Sequence, residues 1–258
     1  MASRSSARLI VALDFVSLKD ALAAARRLRG LVRTVKVGSA LFTACGPDVV
    51  WRLQALGFEI MLDLKFFDIP HTVELSCRAA TRLHVSLLTV HAAGGREMLE
   101  AAMRGVRDEA KRMKLAVSKR PRVLAVTVLT SVPASAERRS AAAAMQAQQA
   151  LSRQVVERAG IALDAGCDGV VASAQEAAQL RAAFSARRFA IICPGIRPSA
   201  AAHEDQRRVA TPAGAVAAGA DALVVGRPIT AAKDPRVAVQ QILHAMKGRS
   251  VCCVSSAG

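Results

Sequence analysis

Tyrosine is absent from this 258-residue chain, tryptophan occurs once and aromatic residues make up 3% of it. So few rings leave little for nucleic-acid bases to stack on, which argues against nucleic acid as a partner. Although 52% of the residues are hydrophobic, no stretch approaches the ~18 consecutive apolar residues of a spanning helix, and a soluble globular protein without a membrane partner is expected. Residues 1–8 contain no apolar h-region, and the run Leu9 to Leu13 stops at Asp14, too short for a signal peptide. The six cysteines show no C-x-x-C spacing and several lie in apolar segments, as reduced thiols do in a reducing compartment, so a cytoplasmic location is expected. Prenylation would need a cysteine four from the end, where Ser255 stands. A dinucleotide glycine fingerprint, a zinc spacing and a serine nucleophile elbow are all missing, so neither a redox cofactor nor a metal is expected.

Acidic residues are also scarce. Lys and Arg outnumber Asp and Glu by 36 to 20, a formal charge of +16. The basic residues are dispersed apart from Lys111 to Lys114 and Lys119 to Arg122, which read as a solvated helix end and loop. An anionic, phosphorylated substrate would benefit from such a field.

What is present is alternation. Short runs rich in Val, Ile and Leu recur near residues 9–13, 34–38, 59–64, 86–91, 123–129, 168–172, 189–193 and 222–226. Segments of helical periodicity separate them, such as Leu18 to Leu28, Pro47 to Leu56 and Arg96 to Arg112. About eight such repeats predict a closed (β/α)8 TIM barrel of the α/β class, with all strand ends pointing the same way. No linker divides the chain, so residues 1–258 are expected to form a single domain with flexible ends at 1–7 and 249–258.

The chain is organised around Asp63-Leu64-Lys65-Phe66-Phe67-Asp68-Ile69-Pro70-His71-Thr72. These residues follow the apolar run Ile60 to Leu62, and side chains alternate faces along a strand, so Asp63 and Lys65 share one face and Leu62 and Leu64 the other. Unpaired ions there would cost several kcal/mol each. Pro70 is expected to halt the strand, leaving Asp68 in the following turn. Ionisable groups thus gather at a strand's carboxyl end, where barrels bind their ligands.

Other strand ends carry matching chemistry. The first run ends Val11-Ala12-Leu13-Asp14, and the second, Val35-Lys36-Val37-Gly38, holds a lysine between two valines. The fourth ends at His91, read as a hydrogen-bonded structural residue outside the site. The fifth reaches Leu129-Thr130-Ser131, whose hydroxyls can bond a polar ring or cap the next segment. Cys193-Pro194-Gly195-Ile196-Arg197-Pro198 implies a shaped loop, followed by small polar residues to Gln206 suited to a mobile lid. Val225-Gly226-Arg227-Pro228 places a glycine amide, a guanidinium and a helix start where a phosphate dianion can bind.

In this order the motifs resemble orotidine 5′-phosphate decarboxylases, whose Asp-x-Lys-x-x-Asp-Ile-Pro-x-Thr segment the stretch Asp63 to Thr72 matches. The resemblance spans Arg8 to His244. It implies a metal- and cofactor-free carboxy-lyase that converts orotidine 5′-monophosphate to uridine 5′-monophosphate in de novo pyrimidine biosynthesis. By that resemblance Asp14 binds the ribose, and Lys36, Asp63, Lys65 and Asp68 form an alternating charge array in which Lys65 protonates the C6 carbanion. Thr130 would contact the pyrimidine, and Arg197, Gln206, Gly226 and Arg227 would bind or enclose the phosphate. Asp68 and Thr72 would reach the partner's site in a homodimer. The nearest rival is a magnesium-dependent sugar-phosphate decarboxylase or aldolase, which would share Asp-x-Lys-x-x-Asp. A basic nucleic-acid-binding protein on an inactive barrel is the rival from another class.

Overall fold

The computed structural model describes residues 7–129, 141–197 and 210–248. Eight parallel strands close in sequence order: β1 (Arg8–Ala12), β2 (Thr34–Gly38), β3 (Glu59–Phe66), β4 (Leu87–His91), β5 (Arg122–Val126), β6 (Gly169–Val171), β7 (Ala190–Cys193) and β8 (Ala222–Val225). Pairing of β1 with β8, from Arg8 opposite Ala222 to Val11 opposite Val225, completes the ring. The helices are α1 (Leu18–Leu28), α2 (Ser39–Cys45), α3 (Asp48–Ala55), α4 (Pro70–Arg82), α5 (Gly95–Arg112), α6 (Ala141–Asp164), α7 (Ala174–Ala183), α8 (Pro212–Ala217), α9 (Arg227–Thr230) and α10 (Pro235–Met246). The expected barrel is therefore the observed one.

Local sequence explains each handover. In α1 the buried Ala21, Leu22, Ala25 and Leu28 fall on one face, and Ser17 caps the start by accepting from the Asp20 amide. Asp234 accepts from the Arg236 amide to start α10, with Pro235 at the first helical position. Close approach governs the packing of α4 on α5, where a Cβ on Gly105 would lie 2.4 Å from the Glu74 carbonyl oxygen. The side chains then form two apolar layers. Ile10, Ala12, Met61, Leu124, Val126, Ile192 and Val224 fill the barrel interior. The outward faces of the strands, including Val11, Val35, Ile60, Leu62 and Leu88, pack with the helices.

Two expectations need correction. Pro70 does not halt β3, which already ends at Phe66; it opens α4 at the position where proline's missing N–H costs no hydrogen bond. The fifth strand was expected to run to residue 129 but stops at Val126, and Val128 and Leu129 turn aside to line the barrel mouth. The residues expected to be flexible ends lie outside the described residues, apart from Ala7. The basic stretch after residue 110 is a helix end and loop only in part: Lys111 and Arg112 close α5 and Val117–Lys119 make one 3-10 turn, but Arg120 pairs with Asp168 and Arg122 opens β5.

Candidate active site

At the carboxyl end of the strands lies a cavity of about 460 Å³. Asp14, just beyond β1, Lys36 on β2, and Asp63 and Lys65 on β3 form its ionic side. Lys36 Nζ lies 2.9 Å from Asp14 Oδ1 and 3.4 Å from Asp63 Oδ2, and Lys65 Nζ donates to the same Asp63 oxygen at 2.9 Å. The order is anion, cation, anion, cation. Exposure grades along it: the side chains of Lys36 and Asp63 are 11% exposed, Lys65 35% and Asp14 59%. Burial pushes the Asp63 carboxyl up, but the charges of Lys36 and Lys65, with hydrogen bonds from Lys65 and Thr89, outweigh it and hold the group below the ordinary carboxylate range.

Simple alternation does not by itself put Lys65 there. The register of β3 against β4 shifts between Leu62 and Phe66, and Lys65 adopts φ 51°, a left-handed conformation that non-glycine residues seldom take. Thr89, fully buried on β4, secures this bulge from both sides. Its hydroxyl accepts from the Lys65 amide at 2.9 Å and donates to Asp63 Oδ1 at 3.0 Å. Gly38 provides room next door, because a Cβ there would lie 2.9 Å from Lys36 Nζ.

Another part of the wall is built from the ends of β7 and β8, the latter paired with β1. Arg197, Gly195, Gly226 and Arg227 line the same cavity. Gly195 takes φ 78°, and residues 195–197 pair with Ala210: the Arg197 amide donates to the Ala210 carbonyl at 3.0 Å and the Ala210 amide to that of Gly195 at 3.3 Å. Gly226 lies beside the end of the first strand: an added Cβ would stand in ordinary contact, 3.4 Å from Asp14 Oδ2 and 3.5 Å from Ala12 Cβ. The expected helix start after it is a single turn, α9 (Arg227–Thr230), so its dipole is short. Val126, Val128, Leu129, Val171 and Pro194 give the same cavity an apolar side.

Residues 7–242 match the Orotidine 5′-phosphate decarboxylase / HUMPS family. The chain belongs to that family. A protein of Halorhodospira halophila named orotidine 5′-phosphate decarboxylase is 48% identical over 235 residues, covering 91% of this chain and 94% of that protein. One of Chromobacterium violaceum with the same name is 45% identical over 240 residues, covering 93% and 92%. The crystal structure of orotidine 5′-phosphate decarboxylase from Lactobacillus acidophilus superposes with a TM-score of 0.75 at 34% identity, covering 93% of this chain and 99% of that one.

Seven of the residues assigned by resemblance to this family thus line one cavity: Asp14, Lys36, Asp63, Lys65, Arg197, Gly226 and Arg227. Asp68 and Thr72 do not. Both are exposed, Asp68 accepting from the Ile69 amide at 2.7 Å. Thr130, Gln206 and the lid proposed before it lie outside the described residues. His91 stays out of the cavity as expected; its Nδ1 accepts from the Ala93 amide at 3.2 Å, and burial, then Arg158 and Lys65, lower its pKa. Cys77, Cys167 and Cys193 are free thiols that burial pushes up to about 12, which makes them inert.

Thr89 is the site residue that the sequence reading did not assign. Its one signal was a hydroxyl inside the run Leu87-Leu88-Thr89-Val90, where every neighbour is apolar. Thr89→Val keeps the shape but removes both bonds, so the Asp63 carboxyl should titrate at higher pH, as read by carbon-13 NMR of aspartate-labelled protein. An unchanged titration would remove Thr89 from the array. Because the folded pKa of Asp63 is depressed, its contribution to stability is present above the ordinary carboxylate pKa and is lost as pH falls through the folded value. Thr89→Val should therefore make acid unfolding begin at higher pH.

Proposed function

We propose that the chain decarboxylates orotidine 5′-monophosphate to uridine 5′-monophosphate in de novo pyrimidine biosynthesis, without metal or cofactor, in the cytoplasm. The observation that carries the proposal is the alternating array Asp14, Lys36, Asp63, Lys65 in one cavity with Arg197 and Arg227. A nucleotide satisfies both ends at once. Its phosphate dianion meets the guanidiniums and Gly226, its ribose hydroxyls meet Asp14, and its ring lies along the apolar side with the carboxylate towards Asp63.

Charge then accounts for the reaction. Breaking the bond between C6 and the carboxyl carbon leaves an electron pair in the ring plane, where the ring's π system cannot delocalise it, so stabilisation must come from preorganised charge. Two like charges near 4 Å repel by about 4 kcal/mol at an effective dielectric of 20. Repulsion between the substrate carboxylate and Asp63 is relieved as carbon dioxide leaves. The Lys65 ammonium stabilises the growing carbanion and passes it a proton, and the neutral amine takes one back from water. Lys36, held between two carboxylates, keeps Asp63 ionised and aimed.

Phosphate binding serves turnover as well as affinity, because contacts to a remote dianion help to exclude water and assemble the charges. Arg227→Ala should therefore lower kcat as well as raise KM. An unchanged kcat at saturating substrate would sink that coupling.

A homodimer completes the site in this proposal, with Asp68 and Thr72 supplied in trans. Support comes from the surface around them, where Phe67, Ile69 and Leu75 are exposed beside both residues. No described helix is long and apolar enough to cross a membrane.

The decisive assay is loss of orotidine 5′-monophosphate absorbance with and without EDTA. Decay to uridine 5′-monophosphate that survives the chelator supports the metal-free reaction. Absence of decay in folded protein would favour the sugar-phosphate rival, which keeps the barrel and phosphate contacts but replaces the pyrimidine.

A further inference from the structure

A second cavity opens at the other end of the barrel, where the strands begin, with a volume of about 1110 Å³. Its floor is the lower layer of the barrel interior. Along β1 the inward residue Ile10 faces this basin while Ala12, two residues on, faces the active-site cavity. On β8, Ala222 and Val224 divide in the same way. The two cavities are therefore separate compartments of one barrel.

Charge on the basin rim is unbalanced. Its three carboxylates are already engaged. Glu59 holds Arg33 at 2.8 Å. Asp168 takes both ends of the Arg120 guanidinium, at 2.5 and 3.2 Å, and accepts the Val123 amide at 2.8 Å. Asp221 pairs with Arg181 and accepts the Ile191 amide at 2.7 Å. Arg8, Lys119, Arg122 and Arg188 also line the basin, all exposed. Among the described residues none of these four side chains contacts a carboxylate. Arg122 reaches only the Asp168 backbone carbonyl, at 3.5 Å, beyond the usual hydrogen-bond range.

Four such cations around an apolar-floored hollow leave its rim with positive charge that no carboxylate among the described residues balances. We propose that this basin binds a small polyphosphate anion of the kind carried by nucleoside triphosphates. A chain of phosphates has the charge to engage several cations together, and a single guanidinium can take two phosphate oxygens. The volume exceeds that of ordinary small-ligand pockets, which favours an extended ligand over one phosphate group. Leu87, half-buried on the basin wall, offers apolar surface to a base if the polyphosphate comes from a nucleotide, while the Phe58 and Phe189 rings are buried. The dearth of aromatic residues weighs against a long single strand occupying the same face.

The test is calorimetric titration with tripolyphosphate, ATP and a single-stranded oligonucleotide near physiological ionic strength. It compares wild type, Lys119→Gln/Arg188→Gln and Arg227→Ala, with thermal melting to verify folding. Lys119 and Arg188 are exposed and have no acidic partner among the described residues, so the double variant should melt like wild type. Saturable tripolyphosphate binding should weaken at least about tenfold in the double variant, as expected from losing charge-assisted contacts, and persist in Arg227→Ala. Equal affinity for tripolyphosphate and ATP assigns recognition to the phosphates alone, and tighter ATP binding adds the base; both support the site. Three results would overturn it: no saturable binding, binding lost in Arg227→Ala but kept in the double variant, or displacement of tripolyphosphate by the oligonucleotide at lower concentration than by ATP. Because the readout is binding at the far end of the barrel, it holds or fails independently of decarboxylation.

Discussion

Lys65→Ala should fold, bind nucleotide and lose decarboxylation by about four orders of magnitude or more, the combined effect of losing a proton donor and a preorganised charge. Lys65 is the most accessible of the three tightly linked ions, 35% exposed, yet its Nζ lies 2.9 Å from Asp63 Oδ2. Its ammonium is thus held beside the Asp63 carboxylate while remaining partly open to the cavity. Among the described residues that line the cavity, Lys36 is the other ammonium. Lys36 is 11% exposed and shared between Asp14 and Asp63, and the chain contains no tyrosine. Single-turnover decay of orotidine 5′-monophosphate measures the effect, and titration with uridine 5′-monophosphate checks that the site still binds. Activity within about tenfold of wild type would mean that water or another group supplies the proton, because loss of an acid catalyst alone typically costs more.

Removing Lys65 also tests how the array is balanced. With one cation gone, burial raises the Asp63 pKa with only Lys36 and Thr89 left to oppose it. Arginine at position 65 keeps the charge but not the compact ammonium. If Lys65→Arg restored Asp63 titration without restoring turnover, the proton donor and the electrostatic support would be separated.

Much of this architecture was legible because hydrophobic runs report strands and the charges interrupt them. A lysine between Val35 and Val37, and Asp63 after Met61 and Leu62, have no place in a barrel wall unless they face a shared polar space. The same logic singled out Gly195, Arg197, Gly226 and Arg227, which line the same cavity. Two features escaped because they depend on geometry rather than composition. The bulge at Lys65 rests on a single left-handed residue whose sequence resembles any strand end. Thr89 belongs to a different strand, 26 residues from Asp63, and only barrel closure brings its hydroxyl to the carboxylate. Pro70 was misread for a related reason: proline ends strands and starts helices, and three residues of turn between Phe66 and Pro70 decide which.

Asp68→Ala should cost about two to four orders of magnitude in turnover, as expected for a charge that acts on the reacting groups, although Asp68 lies away from the cavity in its own chain. One carboxyl oxygen accepts from the next residue's amide, and the side chain is exposed between Phe67 and Ile69. A charge flanked by exposed apolar side chains suits an interface, where a second copy covers the Phe and Ile and receives the Asp. Hybrid dimers decide the matter. Mixing Lys65→Ala with Asp68→Ala, each inactive alone, creates one site with both lesions and one with neither if Asp68 acts across the two-fold axis. Random pairing should then restore about a quarter of wild-type activity, since half the dimers are hybrids and each has one intact site. If Asp68 served its own chain, every site would carry one lesion and mixing would restore nothing.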